Sequence, residues 1–349
     1  MAETTAAREP LISMRWLVSA FTTVSWRAGR VEITSATSGA IFATDNFEVI
    51  RVVHAFAQPR TVEEVIRELD AHAPKHLAAC IDELIGAGIV IPASASEPAT
   101  QNHWDWASLA FHTNSRQLGF HKMPTPPRTT SGVATRRSQT MIPLIPGTVA
   151  EGRDLVSVLD ERRSWRKWPT KPVCRQTFSK FLWLSARNRV GLQGGIEDGY
   201  LSRPYPSGGA VYSLELYPVI ASEAVESIAG GLYRYLPEVH GLEPVSTNSE
   251  DYLPFLESAG RSADTMAPPI ALIITSRFAR QSEIYRNLAY SLVLKEVGCL
   301  FQTLYLVGEY LGLSPCALGG GAPAGLLAGL CNTNELAEPV VGEFMLGPR

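Results

Sequence analysis

The chain is poor in the residues that would announce a metal or disulfide framework. Its five cysteines, Cys80, Cys174, Cys299, Cys316 and Cys331, form no CxxC pair, and their odd number argues against a disulfide scaffold. Seven histidines are scattered without an HExxH, so no structural zinc site is expected. No GxGxxG follows a strand pattern and no GxxxxGK[ST] occurs, which argues against a Rossmann dinucleotide site and an ordinary P-loop. Lys and Arg number 31 against 34 Asp and Glu, a net charge of −3, so there is no bulk basic surface for nucleic acid. The longest apolar stretch, 297–318, is broken by Glu309 and Pro315, and the first residues carry no apolar signal core. A soluble cytoplasmic protein that engages neither nucleic acid nor membrane is the expectation.

What is present reads as two unequal parts. Residues 1–92 form a small α+β unit: partly β-branched runs at 24–34 and 40–44 suggest a hairpin. Thr61 and Glu64 have the spacing of a capping box, which opens a helix with Val62, Val65, Ile66 and Leu69 on one face. A second helix near Lys75 carries Leu77, Cys80, Ile81, Leu84 and Ile85 and ends at Gly88. A short strand at 89–91 completes a winged-helix-like pattern, suited to peptide binding or to plain scaffolding. Residues 93–149 read as a linker, a first helix at 104–115 and an extended arm. Residues 150–349 form the larger domain, with buried strand runs at 215–220 and 270–275, a strand at 339–344 and one long helix over 285–311.

Three segments of the larger part carry candidate chemistry. Arg162, Arg163, Ser164 and Arg166 lie within five residues; guanidinium forks and a hydroxyl suit a phosphate, and a solvated basic turn is the alternative. Pro206, Ser207, Gly208 and Gly209 offer backbone amides that a planar ligand can approach, or a plain tight turn. Gly319 and Gly320 offer the same, or a hinge.

Together with the 203–212, 215–217, 231–235 and 339–342 segments, these motifs resemble the nitroreductase superfamily, and more closely its SagB-type branch of azoline oxidases from thiazole- and oxazole-forming peptide pathways. The resemblance covers about residues 100–349. It implies an α+β fold with a central antiparallel or mixed sheet and long core helices, FMN as cofactor, and a homodimer with each flavin at the subunit interface. By matching position, Arg162, Ser164 and Arg166 would take the phosphate and ribityl chain, with Arg163 in the same cluster. Pro206 to Gly209 would lie beside the isoalloxazine, and the amides of Gly319 and Gly320 near N5. The implied reaction removes an acidified proton from an azoline while hydride passes to the flavin, with O2 as the terminal acceptor. A precursor peptide and a cyclodehydratase are the implied partners. His112 matches a position the family often keeps as histidine, and Trp165, Tyr205 and Tyr212 are expected near the flavin or in the core. Cys299 and Cys316, in apolar runs, are expected in the core.

The sequence departs from the branch at the base. The family's Lys-Tyr pair is here Ile284-Tyr285, and the histidine that follows a glycine is Cys299 after Gly298. Tyr285 is therefore the candidate catalytic residue, with Arg280 or Arg286 as a helping cation. Lys295 or Glu296, three turns on, would compensate for the missing lysine. An NAD(P)H-dependent nitro- or quinone reductase and an inactive peptide-binding partner are the competing readings.

Overall fold

The protein is described by a computed structural model covering residues 14–69, 74–94, 106–114, 141–146, 153–189, 202–320, 322 and 325–349. The glycine-rich stretch at 191–199, most of the extended arm and Gly321 lie outside the described residues. The chain divides into two compact units, Met1–Phe120 and His121–Arg349.

The smaller unit opens with β1 (Trp16–Val18) and a meander of β2 (Thr22–Arg27), β3 (Arg30–Ser35) and β4 (Ile41–Thr44). The run expected over 24–34 is split by a two-residue turn in which Ala28 and Gly29 both have positive φ, the conformation that matches strand twist in a tight hairpin. Three helices follow, α1 (Glu48–Ala55), α2 (Val62–Glu68) and α3 (Pro74–Gly86), and β5 (Val90–Pro92) pairs antiparallel with β1. The capping box forms in both directions: Glu64 N–H donates to Thr61 Oγ1 at 3.2 Å and Thr61 N–H to Glu64 Oε2 at 2.9 Å. Gly88 takes φ +68°, ending α3 as expected. Val31, Ile33, Val65, Ile81, Leu84 and Ile89 close one core. The meander precedes the helices, so the winged-helix expectation rests on α2, α3 and β5 alone.

The helix expected at 104–115 is α4 (Trp106–Asn114), and it packs on this smaller unit. Ala110 meets Phe21 and Ala36, and Thr113 Oγ1 donates to the Ala36 carbonyl at 2.8 Å. The sequence had placed α4, with His112, at the front of the larger part. His112 is exposed on it.

The larger unit is built on a sheet of seven strands among the described residues. Their order is β11 (Leu313–Leu318), β12 (Val340–Pro348), β10 (Ile270–Ser276), β7 (Leu214–Ile220), β8 (Gly231–Leu236), β9 (Gly241–Ser246) and β6 (Ile142–Pro143), every neighbouring pair antiparallel. Period-two alternation divides the central strands between two cores. Ile270, Leu272 and Ile274 face α6 (Arg175–Ala186) and α9 (Ala289–Tyr310), whereas Ala271 and Ile273 face α7 (Ser249–Ser262). Helices therefore cover both faces, and every position of β7 and β10 is buried. Remaining helices are α5 (Leu155–Glu161), α8 (Phe278–Tyr285) and α10 (Leu326–Leu330). By length and composition α9 would cross a membrane, but Val293, Val297, Leu300 and Leu304 bury it in the core.

The long helix expected over 285–311 begins four residues later, at Ala289. Arg286 adopts φ 46°, ψ −119°, which ends α8, and a 3-10 turn at Arg286–Leu288 leads into α9. Tyr285 and Glu296 thus belong to two differently directed helices.

Candidate functional site

The arginine segment is tied to the edge of the sheet. Trp165 N–H donates to the Pro315 carbonyl at 2.9 Å, and Trp168 Nε1 donates to the Ser314 carbonyl at 3.2 Å. Pro315 is tolerated because β11 is an edge strand, and Trp168 lies where any side chain at Gly347 would sit. Tyr305 of α9 joins three groups at one point: its hydroxyl is 2.8 Å from Ser164 Oγ, accepts the Ala317 N–H at 2.8 Å, and its ring lies 5.0 Å from the Arg162 guanidinium. Arg166 is anchored by its carbonyl, which accepts from Thr265 Oγ1 at 2.6 Å. Arg163 turns back onto the carbonyls of Asp160 and Arg162, leaving Arg162, Ser164 and Arg166 as the donors beside β11.

Glu309, fully buried, holds this segment from below. It accepts from Arg153 Nη1 at 2.7 Å and from Arg349 at 2.8 and 2.5 Å, and Arg349 stacks 4.9 Å over the Trp165 ring. The hydrogen bonds from Arg349 and Arg153 hold its carboxyl below the usual carboxylate range.

β11 runs from this cluster directly into Gly319 and Gly320, which border a cavity of about 480 Å³. Tyr290, Leu294, Gly298 and Phe301 of α9 wall one side, and Val341 and Glu343 of β12 another. A Cβ on either glycine would meet no atom within 4 Å, so their backbones are bare toward open space. Glu343 Oε1 accepts the Ala322 N–H at 3.0 Å, and burial raises its carboxyl above the usual range.

The loop at 206–209 lies elsewhere on α9. Gly208 is covered by Leu292 and the Gln281 amide, and the Tyr285 hydroxyl occupies the place that a Cβ on Gly209 would need. Gly209 has φ +61°, and Ala210 and Tyr212 follow at +54° and +49°, so the loop is held in left-handed conformations that only its surroundings enforce. Ser207 Oγ accepts the Tyr212 N–H at 3.0 Å. Leu292 is two residues, about 200°, from Leu294, so loop and cavity lie on opposite sides of the same helix.

Of the two residues considered as substitutes for lysine, only one turns inward. Lys295 is exposed and does not line the cavity. Glu296 is buried, bonded to the Ser207 hydroxyl and, at 3.4 Å, to Ser213 Oγ. Burial raises its carboxyl to about 7, against the opposing pull of those hydroxyls and of Arg203. Arg280 belongs to a cluster with Arg277 and Arg234 around Glu215. Tyr205 and Tyr212 pack edge to face at 5.7 Å in the core on the α9 side of the sheet, with Cys299 at its margin, and Cys316 is buried in the core on the other face.

The sequence also missed Tyr305, Glu309 and Arg349, all of which support the arginine segment. A buried Glu on an apolar helix was the available signal, but its arginine partners lie 156 and 40 residues away in sequence.

Microcin B17-processing protein McbC of Escherichia coli is 36% identical over 119 residues, 34% of this chain and 44% of McbC, so less than half of that relative's length is spanned. Trifolitoxin-processing protein TfxB of Rhizobium leguminosarum bv. trifolii is 23% identical over 289 residues, 74% of this chain and 76% of TfxB. Among solved structures, the Escherichia coli microcin synthetase McbBCD complex with truncated pro-MccB17 bound matches with a TM-score of 0.45 at 23% identity, covering 68% of this chain and 86% of that one. The nitroreductase family model matches residues 159–347, from the arginine segment through the last strand, and the chain belongs to the nitroreductase family of oxidoreductases.

Proposed function

We propose that the protein is an FMN-dependent dehydrogenase or oxidase that matures a peptide natural product, oxidising an azoline or a related amino-acid-derived unit. The supporting observation is the continuity of β11: the segment bearing Arg162, Ser164 and Arg166 is bonded to its edge through Trp165 and Trp168, and the strand leads into two bare glycines at a cavity of ligand size. The donor set fits a flavin mononucleotide, with charged and hydroxyl donors for a phosphate at one end and exposed backbone amides at the other. FMN, when bound, supplies the hydride-accepting ring. The chain's own work is to hold the phosphate with Arg162, Ser164 and Arg166, to orient the ring with Gly319 and Gly320, and to exclude water with Tyr290, Leu294 and Phe301.

The second loop completes the reading. Pro206 to Gly209 and the cavity lie on opposite sides of α9 in one protomer. A homodimer that buries the α9 face of Tyr290 and Leu294, 41% and 38% exposed, would bring the loop of one subunit to the cavity of the other. Tyr285, held against Gly209, then stands at the substrate side as the proton-handling group. The names of microcin B17-processing protein McbC and trifolitoxin-processing protein TfxB support a modified precursor peptide as substrate and a cyclodehydratase as the upstream partner.

The test is flavin binding by the purified protein. A one-to-one FMN complex is expected, and Arg162→Ala with Arg166→Ala should weaken it at least tenfold, about the loss of one charge-assisted hydrogen bond. No flavin binding under any condition, or binding that both substitutions leave unchanged, defeats the proposal.

A further inference from the structure

Behind the 206–209 loop lies a polar interior that the reading above does not use. Glu296 is 2% exposed, and among the described residues no cation is within ion-pair distance of it. Its Oε2 faces the Ser213 hydroxyl, Ser207 donates to the same carboxylate, and Oε1 has no hydrogen-bond partner. The Gln281 amide, wholly buried against Gly208, is unpartnered at both its oxygen and its nitrogen, as is the Tyr205 hydroxyl. Three buried polar side chains with unspent bonding capacity converge on the inner side of one strained loop. The outer side of that loop is the one proposed to face flavin.

We propose that Glu296 is a positioning residue for this loop: its carboxylate fixes Ser207, and its protonation state sets how firmly Pro206 to Gly209 are held. The inference rests on the flavin reading for its consequence, though not for its mechanism. Ser207 is the link, because its oxygen accepts the Tyr212 N–H while its proton is directed at Glu296, so one hydroxyl spans the base of the loop. An ionised Glu296 accepts from both Ser207 and Ser213. A protonated one gives up part of that acceptor capacity, and the loop loses its strongest inward bond. Arg203 and Tyr205, on the segment bearing the loop, are its charged and titratable neighbours, and Glu215 on β7, which also acts on Tyr205, is itself paired with Arg277 and Arg280. Arg203 opposes the cost of burying the charge, and its effect is smaller than that cost. The ionisation therefore falls in the neutral range, near 7, where ordinary changes of pH move it.

The test uses the full chain and two variants, Glu296→Gln and Ser207→Ala. Flavin affinity is followed by fluorescence from about pH 5.5 to 8.5 and read as the ratio of wild type to variant. This ratio cancels the titration of the FMN phosphate near pH 6. Wild-type affinity should rise about tenfold as pH increases through 7, the worth of one charge-assisted hydrogen bond, and neither variant should show that step. A second readout needs no flavin: the carboxyl stretch of Glu296 in difference infrared spectra. It should titrate near neutrality, be absent in Glu296→Gln, and move to higher pH in Ser207→Ala. A flavin step that survives in either variant overturns the proposal, and so does a carboxyl titration that Ser207→Ala leaves in place. If no flavin binds, the flavin reading fails, and the infrared titration still decides whether Glu296 and Ser207 are coupled.

Discussion

Burying Glu296 on an apolar helix has a consequence for folding that is separable from any ligand. In the unfolded chain its carboxyl ionises near 4.5; in the fold, desolvation holds the proton to about 7. At 1.36 kcal/mol for each factor of ten in proton affinity, that difference is worth about 3 kcal/mol. The sign follows from proton counting. Below about pH 4.5 both states are protonated and Glu296 contributes nothing. As pH rises toward 7 the unfolded chain releases its proton and the fold does not, so stability declines. Above about 7 both are ionised and the full penalty of a buried, unpaired charge remains. Glu296→Gln keeps the shape and an acceptor oxygen for Ser207 and Ser213 but removes the titration. Urea unfolding at several pH values, with the slope checked for constancy, gives the stability of both proteins. The variant should gain on the wild type by about 3 kcal/mol between pH 4 and 8. A difference that stays flat to within about 0.5 kcal/mol, the spread of neutral surface changes, would mean that Glu296 is solvated and that the argument for its role is wrong.

Tyr285→Phe should leave FMN affinity within about twofold and slow anaerobic flavin reduction by an azoline peptide about a hundredfold, the usual contribution of a proton-transferring side chain; an unchanged reduction rate would remove Tyr285 from the chemistry. Glu309→Gln should cost about 2–3 kcal/mol in urea unfolding at neutral pH, because Arg153 and Arg349 lose their common partner. The figure lies below that of a wholly buried pair because both arginines are about one-third exposed. Since their hydrogen bonds depress the Glu309 carboxyl, this stabilisation is present above its ordinary 4.5 and is lost as pH falls through its lower value in the fold. Equal stability of variant and wild type at neutral pH would show the clamp to be ornamental.

The parts of the molecule legible in its sequence are those fixed by local chemistry. Thr61 and Glu64 announce a helix start because both bonds of a capping box lie within four residues. β7 and β10 announce themselves because a strand covered on both faces is mostly apolar, as Leu216 to Ile220 and Ile270 to Ile274 are. The break between α8 and α9 had no such signal. No proline or glycine marks it, and residues 285–311 carry enough helix-favouring and apolar side chains to read as one element. What enforces the break is distant: the Tyr285 hydroxyl is set against Gly209, while α9 must follow the direction of the sheet to bury Val293 to Leu304. The same limit explains Lys295 and Glu296. Side-chain type favours Lys295 as the substitute for a missing lysine, but α9 turns by about 100° per residue. Only its packing against the sheet decides that Glu296 goes in and Lys295 out. A residue list chosen by chemistry alone therefore finds the right turn of the helix and the wrong side of it. The correction came from a burial that no i, i+4 pattern could distinguish, because Glu296 sits on the apolar face as its one charged member between Val293 and Leu300.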